Sequence, residues 1–194
     1  MEIQATASAN AATVPAQTSS SLKVKLSTVI DQMNDEEILL LDSTKIQEAH
    51  DRYFTLFNDY PKPEVELTDQ QITGFSHQVL ACDLSPYVDF ALWGPYWPRL
   101  QRVSKFSAWV LASNGSSMLA EFKGPKDFDA WDKCFSCLVT ACIMFNIADL
   151  GSLQAYHGLI KKYHVKYGER MWGLIYQADV LCRQFRFDQV RRDL

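Results

Sequence analysis

The sequence predicts a mainly α-helical fold, a single helical domain of about five helices with one small β-hairpin. Three observations lead to this prediction. Five stretches carry apolar residues at helical spacing, helix-capping patterns precede several of them, and one Asn-Gly pair separates two short apolar runs. Apolar residues form 47% of the 194-residue chain, which is enough to build a core.

The first two helices are predicted at 44–59 and 68–82. Each begins with a threonine that is followed three residues later by a glutamine, and this spacing is the capping-box pattern. Prolines follow the first of these segments and end it, because proline cannot continue a helix. The capping pairs are Thr44 with Gln47 and Thr68 with Gln71. Before them, the alternation of residues 22–30 is typical of a short strand or an extended docking segment.

The β-hairpin is predicted at 105–122, where two short apolar runs flank Asn114-Gly115. Three further helices are expected, at 128–147, 153–167 and 169–192. The first of these is apolar nearly all round, so it is predicted to be the central, buried helix. Its cap is predicted to be Asp127 or Asp129, and Ser152 is predicted to cap the next helix.

Two segments are expected, a disordered tail over residues 1–21 and the helical domain over 22–194. The tail consists mainly of Ala, Thr, Ser and Gln and has too few large apolar groups to offset the entropy of ordering. No signal-peptide pattern and no run of 18 uncharged apolar residues occurs, so a cytoplasmic location without a membrane partner is expected. An odd number of cysteines, five, also fits a reducing compartment.

Three of the cysteines lie close together in the predicted central helix, and they invite a comparison with zinc sites. Zinc needs four ligands in a tetrahedral array, usually on loops, and no fourth ligand lies near in the sequence. The three are therefore interpreted as small buried hydrophobic residues. They are Cys134, Cys137 and Cys142.

No metal, cofactor or small-molecule substrate is predicted. The chain contains no phosphate-binding, dinucleotide-binding, metalloprotease or serine-hydrolase motif, so a non-enzymatic role is expected. An enzyme with an unrecognised site stays as a third alternative, since convergent polar groups in a cleft leave no necessary trace in sequence.

Charge is distributed unevenly along the chain. Residues 1–98 hold five basic and fourteen acidic residues, a balance of −9, whereas residues 99–194 hold fourteen basic and nine acidic residues, a balance of +5. Opposite charge on two parts of one molecule favours head-to-tail self-association, and a basic half also attracts RNA. Simple solvated surfaces are the competing interpretation.

A run of aromatic residues interleaved with cations lies between residues 93 and 109. Such a mixture suits single-stranded nucleic acid, because rings stack on bases and cations contact phosphates, although aromatic residues in the core would give the same pattern. The candidate nucleic-acid contacts are Arg99, Arg102, Lys105, Lys161, Lys162, Arg183, Arg186, Arg191 and Arg192. An alternative function is a protein–protein adaptor whose aromatic surface lies around residues 86–98. Its candidate partner contacts are Trp93, Tyr96 and Trp97.

Three sequence segments, taken in order, resemble a helical, gag-like region in open reading frames linked to retroelements of dinoflagellate-type algae. They are PYVDFALWGPY at 86–96 with the following RLQRVSKFSAWV, FKGPKDFDAWDKCF at 122–135, and WGLIYQADVLCRQFRFDQVRR at 172–192. The resemblance covers about residues 22–192. It implies a role in packaging or assembly and no catalysis. The chain has no Cys/His zinc knuckle and no protease or polymerase motif, so the resemblance implies a stand-alone piece.

Overall fold

The computed structural model describes residues 22–95, 103–111 and 116–187. Over these residues the fold is mainly helical, as predicted. The helices are α1 (Ser43–Phe57), α2 (Asp69–Ser76), α3 (Phe128–Met144), α4 (Leu150–Tyr167) and α5 (Trp172–Arg186). The strands are β1 (Lys23–Lys25), β2 (Glu37–Leu39), β3 (Lys105–Leu111) and β4 (Ser117–Lys123).

Helix α3 lies at the centre of the helical packing. It contacts α1 on one side and α4 on another, and α5 packs on α4 and on β3. The inner side of α3 carries an aromatic cluster, in which Trp131 stacks on Phe135 at a centroid distance of 4.9 Å. The prediction that this helix is central and buried is confirmed, because ten of its residues are buried.

The described residues form two antiparallel strand pairs, so the prediction of a single hairpin is corrected. In addition to β3–β4, strand β1 pairs with β2, with Val24 opposite Ile38. Val24 and Leu26 are buried against the core while the flanking lysines stay exposed. The alternation of residues 22–30 is therefore explained by a short strand that ends in a turn of 3-10 helix, Leu26–Thr28.

The β3–β4 hairpin forms where it is predicted and provides a platform for α5. On its inner face Phe106 stacks on the opposite Phe122 at 5.3 Å and meets Tyr176 of α5 edge-on at 6.0 Å. Gly173 allows this close approach, because a Cβ at that position would lie 2.8 Å from the Cβ of Ala108. The hairpin thus fixes the position of the first half of α5.

The helix caps agree only in part with the predictions. The Thr68–Gln71 capping box is present, and Asp127 caps α3 by accepting a hydrogen bond from the Ala130 backbone. The predicted caps Thr44 and Ser152 are wrong, because in each case an aspartate just upstream caps the helix. Asp42 caps α1 and Asp149 caps α4, the latter at 2.9 Å from the Ser152 amide nitrogen.

Gly124 joins the hairpin to α3 in a conformation that L side chains rarely adopt, with φ of 139°. A Cβ there would also collide with the phenol ring of Tyr176. We expect Gly124→Ala to lower the free energy of unfolding by about 2 kcal/mol or more, through backbone strain and steric overlap. Urea unfolding followed by circular dichroism measures this change.

Gly158 provides the matched control for this substitution. It lies exposed in the middle of α4, and a Cβ there would meet no atom within 4 Å. Gly158→Ala is expected to raise the free energy of unfolding by about 0.5–1 kcal/mol, because alanine restricts the unfolded chain and favours the helix. Equal effects of the two substitutions would contradict the role assigned to Gly124.

Candidate interaction groove

An apolar groove of about 410 Å³ runs along the outer side of the helical hairpin formed by α4 and α5. Hydrophobic and tyrosine side chains from both helices and from the short turn between them form most of its lining. The lining residues are Tyr156, Leu159, Ile160, Tyr163 and Tyr167 of α4, Met171 of the turn, and Leu174, Ile175, Ala178, Asp179 and Cys182 of α5.

The sequence places these residues together because they recur every three or four positions on each helix, which puts them on one face. Several remain strongly exposed, including Leu159, Tyr163, Leu174 and Tyr167. On α5 the exposed apolar stripe continues past the groove to Leu181 and Phe185. A large contiguous apolar surface of this kind on a folded protein marks an interaction site.

One lining residue of the groove, Asp179, belongs to a buried ion pair with Arg183. The Nε atom of Arg183 donates to Oδ2 of Asp179 at 3.0 Å, and its Nη2 lies 2.9 Å from the same oxygen. The hydroxyl of Tyr156 donates to the other carboxylate oxygen at 2.9 Å. These contacts tie α4 to α5.

Arg183 also anchors α5 to the segment that precedes residue 96. Its Nη1 donates to the Val88 carbonyl oxygen at 2.7 Å, and the guanidinium carbon lies 3.6 Å from the ring centroid of Phe90. Burial disfavours the charged guanidinium, but the charge and hydrogen bonds of Asp179 and nearby tyrosines hold the pKa of Arg183 above its ordinary value. The prediction that Arg183 contacts nucleic acid is wrong, because its side chain is fully buried.

Exposed cations lie on the two helices that form the groove, although none of them is among its lining residues. Lys162 and Lys166 lie one turn apart beside the apolar stripe of α4, and the Lys166 ammonium lies 4.9 Å from the ring centroid of Tyr167. Arg186 is exposed one turn beyond Cys182. Residues 150–187 hold six basic and two acidic residues, and one of each forms the buried pair, which leaves five exposed cations against one exposed acid, Glu169.

The other predicted nucleic-acid contacts that the structure describes lie on β3, α4 and α5. Lys105 lies on β3, where it pairs with Glu121 at 3.0 Å. Lys161 and Lys162 are exposed on α4, and Arg186 is exposed at the end of α5. The remaining members of the set lie outside the described residues, namely Arg99, Arg102, Arg191 and Arg192.

The aromatic surface expected around residues 86–98 belongs to the core where it is described. Trp93 is fully buried and contacts Phe75 at a centroid distance of 5.9 Å, so its prediction as a partner contact is wrong. Val88 and Phe90 are likewise buried. The other two predicted partner contacts, Tyr96 and Trp97, lie outside the described residues.

The cysteines of α3 are buried, as their apolar surroundings indicate. Burial raises the pKa of the Cys142 thiol to about 12, which keeps it protonated and unreactive at neutral pH. Across residues 22–95, 103–111 and 116–187, no group of three or more His, Cys, Asp or Glu side chains is arranged to hold a metal ion. Cys182 is the cysteine that lines the groove, and it is partly exposed.

Sequence patterns predicted the last helix but missed the groove. A missed signal is the width of its apolar surface, because Leu174 and Leu181 are apolar and yet stay exposed. The second signal is the tyrosine spacing on α4, at 156, 163 and 167. Neither pattern by itself distinguishes the helix face that packs in the core from the helix face that is exposed to solvent.

Comparison with protein-family models, with curated proteins and with solved structures found no match to this chain. In the part of the chain that the structure describes, no helix combines the length and apolar character needed to cross a membrane. The groove and its chemistry therefore provide the structural basis for a functional proposal.

We expect Arg183→Met to lower the free energy of unfolding by about 3–5 kcal/mol, because it leaves the Asp179 carboxylate buried without its cation. The double variant Asp179→Leu/Arg183→Met removes both charges and should recover most of that loss. Urea unfolding of both variants measures the difference. Arg186→Met, at an exposed position of the same helix, should change stability by less than about 0.5 kcal/mol.

A double variant no more stable than Arg183→Met would contradict this account. The loss would then come from the missing hydrogen bond to the Val88 carbonyl oxygen and from the lost contact with Phe90. In that case the charge of Asp179 would not be the cause.

Proposed function

We propose that the chain is a non-enzymatic, gag-like assembly protein that self-associates through the α4–α5 groove. The observation that carries the proposal is the apolar groove itself, whose exposed leucines and tyrosines form a continuous surface on two adjacent helices. Two-helix surfaces of this kind bind a further helix, which inserts side chains at positions i, i+3, i+4 and i+7. The resemblance to gag-like regions supports the same role.

A second copy of the chain is the proposed occupant because of the charge distribution. The helices that form the groove and the turn between them carry five exposed cations, whereas residues 31–69 hold eleven acidic and three basic residues. One molecule therefore carries both an apolar site on basic helices and a region of opposite charge that complements it. Self-association uses both features without any other partner.

The groove is less suited to catalysis. Its one carboxylate, Asp179, is engaged by Arg183 and Tyr156, and no imidazole is among the lining residues. General acid–base chemistry needs a titratable group with access to the reacting atoms. Binding the apolar face of a helix requires no titratable group.

Leu174→Glu is expected to weaken self-association at least about tenfold, since it introduces a charge into the centre of an apolar contact. Leu174 is 47% exposed, so the substitution should not unfold the monomer. The measurement is sedimentation equilibrium over a range of protein concentrations at low salt. Leu84→Glu is the matched control, because Leu84 is 53% exposed and does not line the groove.

Thiol footprinting gives an independent readout for the same test. Cys182 lines the groove, whereas Cys82 is exposed elsewhere, so each molecule contains its own reference. Alkylation of Cys182 should slow as protein concentration rises while alkylation of Cys82 stays constant. A wild-type protein that stays monomeric at high concentration, with both rates unchanged, would contradict the proposed function.

RNA binding through the basic half of the chain is a second candidate function, and the exposed cations of α4 support it. The Lys161→Ala/Lys162→Ala variant should bind a labelled single strand more weakly, with a salt dependence that is flatter by about 1.4, or about 0.7 for each lost phosphate contact. Fluorescence anisotropy at several salt concentrations measures both quantities.

The matched control for the RNA experiment is Lys45→Ala/Lys62→Ala. It removes the same number of exposed lysines, but from the acidic half of the chain. An equal change in slope for both double variants would show that net charge alone is responsible. The absence of binding at about 50 mM salt would remove RNA from the function.

A further inference from the structure

An aromatic ridge on α1 has the properties that the groove requires of its occupant. Phe54, Phe57 and Tyr60 are all exposed at the carboxyl end of this helix. Phe54 and Phe57 are three residues apart and so lie on neighbouring positions of one face. The ring of Tyr60 lies 5.0 Å from that of Phe54, so the ridge continues past the helix end. These three residues are called the α1 ridge.

Two carboxylates lie beside the α1 ridge, while the cation Arg52 is directed away to the Met144 carbonyl oxygen and to Glu48, and Lys62 follows Tyr60 by two residues. Asp51 lies one turn before Phe54, and Asp59 lies between the last two residues of the ridge. Both carboxylates are exposed. On the groove side, Lys166 lies over the ring of the lining Tyr167, and Lys162 follows the lining Leu159 by three residues, so acidic neighbours of one apolar surface would meet basic neighbours of the other.

On the basis of the proposed function, we infer that the occupant of the α4–α5 groove is the α1 ridge of a second copy. Phe54 and Phe57 enter the groove as helical anchors, and Asp51 and Asp59 approach the exposed lysines of α4. Aromatic anchors of this kind provide most of the binding energy in protein interfaces.

Both surfaces are available on one molecule at the same time. The α1 ridge belongs to a helix that packs on α3 and α2, whereas the groove is formed by α4 and α5 and is lined by no residue of α1. A contact between two different surfaces is heterologous, so each copy that docks exposes a new groove or a new ridge. The product is a closed ring or a growing filament.

The competing arrangement packs one groove against another. It would bring Lys162 and Lys166 of one copy close to the same lysines of its partner, and like charges at an interface oppose association. Salt distinguishes the two arrangements, since screening weakens attraction between ridge and groove but relieves repulsion between two grooves. Head-to-tail association should therefore become weaker as salt rises from about 50 mM to about 500 mM.

A complementation experiment tests the pairing of these two surfaces. Phe54→Glu damages the ridge and leaves the groove intact, whereas Leu174→Glu damages the groove and leaves the ridge intact. Each variant alone should associate at least about tenfold more weakly than the wild type. Mixed in equal amounts, they should form a heterodimer that grows no further, because its outer surfaces are the two damaged ones. Sedimentation velocity detects each species.

Leu56→Glu is the control on the same helix. Leu56 is 58% exposed but stands two positions from Phe54, on a different face of α1, so its substitution should leave association unchanged. Thermal unfolding followed by circular dichroism should show equal helical content in Phe54→Glu, Leu174→Glu and Leu56→Glu.

The outcomes separate this inference from the proposed function. If Phe54→Glu associates like the wild type while Leu174→Glu does not, the groove is an assembly surface but the ridge is not its occupant. If both variants are monomeric and their mixture gives no heterodimer, the pairing of ridge with groove is overturned. If Leu174→Glu associates like the wild type, the proposed function fails as well.

Discussion

The Asp179–Arg183 ion pair is the interaction on which the arrangement of the last two helices depends. It is fully buried, and its hydrogen bonds extend to Tyr156 on α4 and to the Val88 carbonyl oxygen in the preceding segment. A buried charge pair is stabilising only when the remaining donors and acceptors are satisfied. Here the Tyr156 phenol, the Val88 carbonyl oxygen and the Phe90 ring contact the pair and connect α5 with α4 and with the segment before residue 96. The Nη2 atom of Arg183 lies beside the Asp179 carboxylate but has no hydrogen-bond partner of its own among the described residues.

The sequence was sufficient to predict the features that depend on local pattern. Helical periodicity located the five α-helices of the described residues, and Asn114-Gly115 located the β3–β4 hairpin, because spacing and turn chemistry act within a few residues. Strand β2 was missed since its three residues have no turn signal, and its pairing with β1 spans an eleven-residue connection. The caps at Asp42 and Asp149 were missed because a threonine or serine downstream gave an equally good local pattern.

The site depends on long-range packing, and sequence patterns predicted it poorly for that reason. Arg183 stands among other cations in the sequence, and nothing in that neighbourhood shows that Asp179, one turn earlier, accompanies it into the core. Trp93 stands in a segment with prolines and a glycine, which is typical of surface loops, yet the ring packs on Phe75. Burial at both positions is decided by elements that lie far away in the chain.

Because Arg183 is buried, the basic residues of the second half of the chain have to be interpreted without it. The exposed cations of α4 and α5 lie on the helices that form an apolar groove, whereas Phe106 of the aromatic and basic run packs inward against Phe122 and Tyr176. Cations beside an apolar site steer and orient a partner, while the apolar centre provides the affinity. The proposed pairing would give the charge asymmetry of the sequence a structural counterpart, because the groove lies on helices with exposed cations and Asp51 and Asp59 lie beside the α1 ridge.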